Sequence, residues 1–254
     1  MATKAIIIGA GRGIRMMPET ESYPKCMIDG LGGRRVLDWI LDSFISVRVD
    51  DIAFVGGYHI EKVIASYPQL RYYHNDKWDS NNILESLFYA EPEMDSEFVV
   101  SYSDIICRRR VLKRLMDSKA DVALVVDRSW RQRYVGRTAH PITQAEKVAV
   151  LDGKVVEAGK HLSLEKTYGE FIGLAKFSEL GAHQMRRHYL DVRNSYLECP
   201  FHQAPNIREA YLTDMFEELV ELGVRIETVD IWGEWVELDT PQDLERARSD
   251  KIIT

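Results

Sequence analysis

The sequence predicts an α/β fold: one domain built on a mixed, mostly parallel sheet flanked by helices. Three observations carry this expectation. Short apolar runs alternate with stretches of helical apolar spacing through the first half of the chain. The first such run ends in glycines, as a buried parallel strand does. The alternation breaks once, between about residues 129 and 168, into a short antiparallel pattern.

The elements follow in order. Lys4 to Ile8 is a buried-strand pattern running into Gly9. Val36 to Val47 has helical spacing, Asp51 to Val55 is a strand ending at Gly56-Gly57, and His59 to Ala65 is a helix. Arg71 to His74 is a short strand and Asn82 to Ala90 a helix; Glu97 to Ser101 is a strand, Arg108 to Asp117 a helix and Asp121 to Asp127 a strand. Strands linked by helices imply right-handed crossovers. Then Lys147 to Leu151 and Lys154 to Glu157 flank Asp152-Gly153, a hairpin signal. This is the antiparallel insertion, expected to lie over one edge of the sheet. Glu170 to Phe177 returns to strand, helices follow at Ala182 to Leu190 and Ile207 to Leu222, and the strand Arg225 to Ile231 precedes a last helix, Pro241 to Arg248. With no repeat and no obvious linker, the whole of 1–254 reads as one domain.

Bulk properties narrow the function classes. The net charge is −7, which argues against a general nucleic-acid binder, since that needs a basic footprint. A local basic pocket or a metal ion still allows anionic substrates. Cys26, Cys107 and Cys199 are far apart and form no CxxC pair, so neither a disulfide framework nor a zinc site is expected. The chain begins almost at once with a strand pattern and has no apolar run long enough for a bilayer, so the expectation is a cytoplasmic protein without membrane partners. A homodimer is compatible with these properties.

The first chemical signal is the segment Gly9-Ala10-Gly11-Arg12-Gly13-Ile14-Arg15 directly after the first strand. Glycines there let backbone N–H groups approach a phosphate without Cβ obstruction. The segment fails the dinucleotide pattern GxGxxG, because Ile14 stands at the third glycine, and it lacks the Gly-Lys-Ser/Thr closure of a Walker loop. A dehydrogenase is therefore disfavoured, and a plain strand-to-helix turn is the bland alternative. Met16-Met17-Pro18, Thr20 and Pro24-Lys25 follow. Together, Gly9 to Lys25 resembles the N-terminal signature of the sugar-nucleotidyltransferase superfamily: an apolar strand, A-G-x-G-x-R, P-x-T and P-K. The resemblance implies a Rossmann-like architecture of the nucleotide-diphospho-sugar transferase type. It implies that Gly9, Ala10, Gly11 and Gly13 bind the nucleotide, that Arg15 neutralises its β- and γ-phosphates, and that Lys25 bridges the α-phosphate and the acceptor oxyanion. Cations around a pentacoordinate phosphorus and a leaving pyrophosphate suit that chemistry. Gly9 departs from the commoner alanine, which should loosen the loop without removing side-chain chemistry.

The same resemblance implies a Mg2+ ion held by two aspartates. Asp104 follows the strand Phe98-Val99-Val100-Ser101, with Ser103 beside it toward the nucleotide. Asp239 opens Asp239-Thr240-Pro241-Gln242-Asp243-Leu244, similar to the family's D-T-P-x-D-L segment. Mg2+ wants hard oxygen ligands, and open α/β sheets bind ligands at the carboxyl ends of their strands. Asp239 could instead cap the last helix, Asp243 reads as structural, and Glu237 is a weaker candidate beside the metal.

The segment His74 to Leu87 resembles the phosphocholine cytidylyltransferase branch, which includes enzymes acting on phosphonates, and so implies CTP. Asn82 and Ser86, four apart, share a helix face toward the nucleotide; a cap at Ser80 or Asn81 is the alternative. For the acceptor, the sequence offers Trp130, Arg131, Arg133, Tyr134 and Arg137, with Glu170 in a G-E-F-x-G strand. Arginines suit an anionic acceptor; Trp130, Tyr134, Trp232 and Trp235 could cage a quaternary ammonium. A solvated basic loop is the alternative to both. The histidines, His140 and His161 among them, show no metal spacing and read as structural or surface residues. The expected activity is Mg2+-dependent transfer of CMP from CTP to a small phosphonate or phosphorylated acceptor, with release of pyrophosphate. The rivals are a sugar-1-phosphate nucleotidyltransferase using another NTP and a silent nucleotide-binding regulatory subunit.

Overall fold

A computed structural model of the protein describes residues 3–29 and 31–249. Its first strand, β1 (Lys4–Gly9), sends Ala5 and Ile7 to one apolar core and Ile6 and Ile8 to another, so both faces of the sheet are covered. The chain then runs through α1 (Val36–Ser46), β2 (Ile52–Gly56), α2 (Ile60–Ser66), β3 (Arg71–His74), α3 (Ile83–Phe88) and β4 (Phe98–Tyr102). It continues with β5 (Ile105–Cys107), α4 (Arg109–Asp117), β6 (Val122–Asp127), the short α5 (Arg131–Tyr134), β7 (Lys147–Leu151) and β8 (Lys154–Gly159). β9 (Gly169–Phe177), α6 (Glu179–Arg193), α7 (Leu212–Glu221), β10 (Ile226–Ile231), β11 (Trp235–Glu237) and α8 (Pro241–Arg248) complete it.

Nine strands form one sheet in the order β3-β2-β1-β4-β9-β6-β10-β8-β7. The pairings put seven strands in one direction and only β8 and β9 in the other, the mostly parallel arrangement the sequence implies. Helices α1, α2, α4 and α8 bury their apolar stripes on one face; α3, α6 and α7 do so on the other. The β7–β8 hairpin extends the sheet edge, pairing with β10, while β7 also reaches β9. Among the described residues no helix is long and apolar enough to cross a membrane.

Two features position the site. The chain winds outward from β1 through β2 to β3, then returns to lay β4 on the other side of β1. The carboxyl ends of β1 and β4 thus flank a topological switch point, where open α/β sheets bind ligands. The second feature is a separate two-stranded sheet of β5 and β11, antiparallel, with Glu237 opposite Ile105. Neither of these three-residue strands is expected from the sequence.

Candidate active site

At the switch point lies a cleft of about 740 Å³. Its floor is the turn after β1, where Gly9, Ala10, Gly11, Gly13 and Arg15 all line the opening. Gly13 stands in the left-handed region at φ 67° and opens a single 3-10 turn, Ile14–Met16. A glycine takes that conformation without Cβ strain. Thr20 Oγ1 donates to Gly13 O at 2.8 Å, which fixes the loop's return. Gly9 corrects the expectation of a loosened loop. A Cβ there would lie 2.6 Å from Phe54 and 2.8 Å from Ser103 Oγ, so the missing methyl is space already filled by neighbours.

Lys25 reaches over the loop to carboxylates 79 and 214 residues away in sequence. Its Nζ donates to Asp104 Oδ2 at 2.7 Å and to Asp239 Oδ1 at 2.8 Å. The β5–β11 sheet makes this meeting possible. Asp104 precedes β5 and its carbonyl accepts from Leu238 N at 2.9 Å, one residue after β11, so Asp104 and Asp239 arrive side by side. Asp239 does not cap α8. Thr240 does, in a capping box with Asp243, which leaves the Asp239 carboxylate free to face the cleft. Arg15 lies 3.0 Å from Asp239 Oδ2, and His140 Nδ1 lies 2.5 Å from the same oxygen.

Electrostatics follow from this packing. Burial by itself would lower the Lys25 ammonium, but the charges and hydrogen bonds of Asp104 and Asp239 reverse that and hold it above its ordinary value. Burial would likewise raise Asp239; the His140 contact, Lys25 and Arg15 instead hold it well below the usual carboxylate range. Asp104 Oδ1 is buried with no hydrogen-bond partner. A buried orphan carboxylate oxygen beside a second ionised carboxylate is a donor set that suits a hard divalent cation. One ligand atom each from His140, Glu237 and Asp239 also lies within 4.8 Å of the others. The residues present therefore fit a metal.

Asn82, the residue before α3, and Ser86 within it both line the cleft, as does Ser103 beside Asp104 after β4. The helix cap is Asn82, not Ser80 or Asn81: its side chain accepts from Ile83 N and donates to Glu209 O. Ser86 Oγ donates to Asn82 O and accepts from buried Asn75.

The acceptor-side expectation is corrected: Trp130, Arg131, Arg133, Tyr134, Arg137 and Glu170 do not line this cleft. Trp130 and Tyr134 are buried in a small apolar cluster with Ala145. Tyr134 donates to buried Glu170 at 2.5 Å. Each arginine is taken by the fold itself. Arg131 bonds to Leu164 O, and Arg133 donates to Trp235 O while lying 4.4 Å over that indole. Arg137 donates to Asp243 at 2.7 Å and to Glu237 at 2.7 Å. This loop is a clamp that holds the residues on either side of Asp239. The aromatic cage fails likewise, since Trp235 is buried and bonded to Asp127, and Trp232 is 63% exposed away from the cleft.

Other residues line the cleft instead: His140, Gln144, Glu146, Lys160 and Tyr211. His140, expected from the sequence to be structural or at the surface, is buried against Asp239. Tyr102 Oη donates to both Glu146 oxygens at 3.1 Å, and burial lifts the Glu146 carboxyl to about 7. Lys160 Nζ sits 3.7 Å over the Tyr211 ring and 3.4 Å from Gln144 Oε1. For His140, Gln144, Glu146 and Lys160 the advance signal is their place in the 129–168 insertion, where Glu146 follows the arginines the sequence offers for the acceptor; Tyr211 lies outside it and carries none.

Comparison with known proteins gives this geometry relatives. The family model for the MobA-like NTP transferase domain matches residues 5–169. A CTP:phosphoglutamine cytidylyltransferase of Campylobacter jejuni subsp. jejuni is 29% identical over 251 residues, covering 95% of this chain and 97% of that protein. A 2-aminoethylphosphonate cytidylyltransferase of Lancefieldella rimae is 28% identical, covering 73% and 71% respectively. The inositol-1-phosphate CTP transferase of T. maritima has the same fold, with a TM-score of 0.75 at 19% identity over 99% of this chain and 96% of that one.

Proposed function

The chain belongs to the MobA-like NTP transferase domain family, and from that premise we propose that it is a magnesium-dependent cytidylyltransferase acting on a small phosphonate or phosphorylated acceptor. The observation that carries the reading is the meeting of Lys25, Asp104 and Asp239 beside the glycine loop at the switch point. The relatives' names supply the nucleotide and acceptor class: cytidylyltransferases for phosphoglutamine and 2-aminoethylphosphonate.

The acceptor's phosphate or phosphonate oxygen attacks the α-phosphorus of CTP in line. A P–O bond to the acceptor forms, the α–β phosphoanhydride bond breaks, and pyrophosphate leaves with the electron pair. Arg15 and the backbone of Gly11 to Gly13 meet the β- and γ-phosphates. Lys25, held fully protonated at neutral pH, meets the charge that builds on the α-phosphoryl oxygens. Asp104 and Asp239 are the residues that would hold Mg2+, which when bound supplies Lewis-acid stabilisation of that charge. His140 and Arg15 fix the Asp239 carboxylate. Asn82 and Ser86 border the space for the nucleoside. The chemistry needs no covalent enzyme intermediate.

The test is pyrophosphate release from CTP with Mg2+ and phosphonate or phosphate acceptors, for wild type, Lys25→Ala and Asp104→Ala. Each substitution should lower kcat by roughly 10²–10³-fold, the cost of removing one preorganised charge. Wild-type rates in either variant would refute the role of the residue replaced.

A further inference from the structure

Glu146 is an anomaly in a cleft read as a binding site for two anionic substrates. It lines the same opening as Arg15, Lys25 and Lys160, yet among the described residues it forms no ion pair, and Tyr102 is its only side-chain partner. Lys160 and the Tyr102 hydrogen bond favour its charged form, while Glu237 and Asp214 add negative charge around it. In its ionised form a recessed carboxylate without an ion pair repels a polyanion and costs desolvation, so a cationic group carried by a substrate is stabilised beside it. Lys160, the positive charge that bears on it most, is held over the Tyr211 ring and toward Gln144 and makes no ion pair with it.

We propose that Glu146 is the acceptor-specificity residue, and that it receives a protonated amine carried on the acceptor's non-phosphoryl end. The inference rests on the cytidylyltransferase reading and names the acceptor class within it: an aminoalkyl phosphate or phosphonate. The surroundings select an N–H-bearing ammonium over a quaternary one. Tyr102 presents its hydroxyl, not its ring face, to the carboxylate, and the Tyr211 face is already covered by Lys160. The four aromatic residues the sequence offers as a cage, Trp130, Tyr134, Trp232 and Trp235, lie outside the cleft. What Glu146 offers is hydrogen-bond acceptance, which a primary ammonium uses and a trimethylammonium cannot.

The test compares matched acceptors with CTP and Mg2+: 2-aminoethylphosphonate and phosphoethanolamine, their amine-free counterparts ethylphosphonate and ethyl phosphate, and phosphocholine. Wild type should favour each amine over its counterpart by at least about tenfold in kcat/KM, mostly through KM, with phosphocholine behind the primary amines. Glu146→Gln, nearly isosteric, should collapse that ratio toward one, and Glu146→Asp should recover part of it. A merely structural role would change all acceptors alike and leave the ratio intact. Equal use of amine and amine-free acceptors by wild type, a preference for phosphocholine, or a ratio unmoved in Glu146→Gln overturns the proposal alone. No pyrophosphate release from CTP with any phosphorylated acceptor, sugar phosphates included, overturns the reading beneath it as well.

Discussion

Lys25→Met is the most informative single perturbation of the site, because it separates the lysine's charge from its length. In the wild type two carboxylates share one ammonium at 2.7 and 2.8 Å. The side chains are enclosed: Lys25 is 13% exposed, Asp104 19% and Asp239 6%. Removing the cation leaves two neighbouring carboxylates facing each other with little water. Breaking a buried pair by deleting one partner costs about 3–5 kcal/mol. Asp239 keeps Arg15 and His140, so the lower end, about 3 kcal/mol, is expected. For a chain of this size about 2–4 °C of Tm goes with each kcal/mol, so Tm should fall by roughly 6–12 °C in EDTA. A divalent cation can replace the missing charge. At about 100 times its dissociation constant it should return about 2.7 kcal/mol to the variant, and less to wild type, whose Asp104 and Asp239 oxygens already face Lys25. Thermal or urea melts with EDTA and with Mg2+ read this directly. A variant that melts within about 2 °C of wild type in EDTA, or that gains no more from Mg2+ than wild type, refutes the reasoning.

Three further outcomes follow from the packing. Gly9→Ala forces a methyl into Phe54 and Ser103 and should cost about 1–3 kcal/mol by urea melt; a neutral effect would mean the β1 turn has room to spare. Arg137→Met removes the buried partner of Asp243 and Glu237 and should cost about 3–5 kcal/mol while lowering kcat through a displaced Asp239 segment; full activity would deny the clamp. Glu170 is 5% exposed, and burial, with the Glu237 charge added, raises it to about 8. It is then protonated in the native state at neutral pH and ionised in the unfolded chain above about 4.3. The native state binds the extra proton, so its contribution is present below about pH 4 and is lost as pH rises toward 8. Glu170→Gln should therefore flatten the decline in stability between about pH 5 and 8; parallel stability curves would contradict the shift.

Much of the fold was legible because its signals are local. β3, β7 and α8 match the sequence expectation at both ends, since hairpin, cap and apolar period all lie within a few residues of one another. The glycine loop and Lys25 were legible for the same reason. Non-local pairing was not. β5 and β11 are three residues each, too short to show a period, and each is a strand only because the other is present. They bring Asp104 beside Asp239, a meeting that rested in the sequence on resemblance alone. The basic loop misled because composition cannot say whether an arginine's partner is a ligand or the chain itself. Arg131, Arg133 and Arg137 all found partners at home, on Leu164, Trp235 and Asp243. His140 stayed hidden because its partner lies 99 residues away.

Transfer of a CMP group in this cleft is best tested by pyrophosphate release from the purified protein with Mg2+ across CTP, UTP, GTP, ATP and dTTP, each with a phosphonate, a phosphoamine and a sugar-1-phosphate. The expected result is release with CTP and a phosphonate or phosphorylated amine, with the cytidylylated acceptor formed in equal amount. Preference for another NTP with a sugar-1-phosphate, or nucleotide binding without turnover for every acceptor, would contradict it.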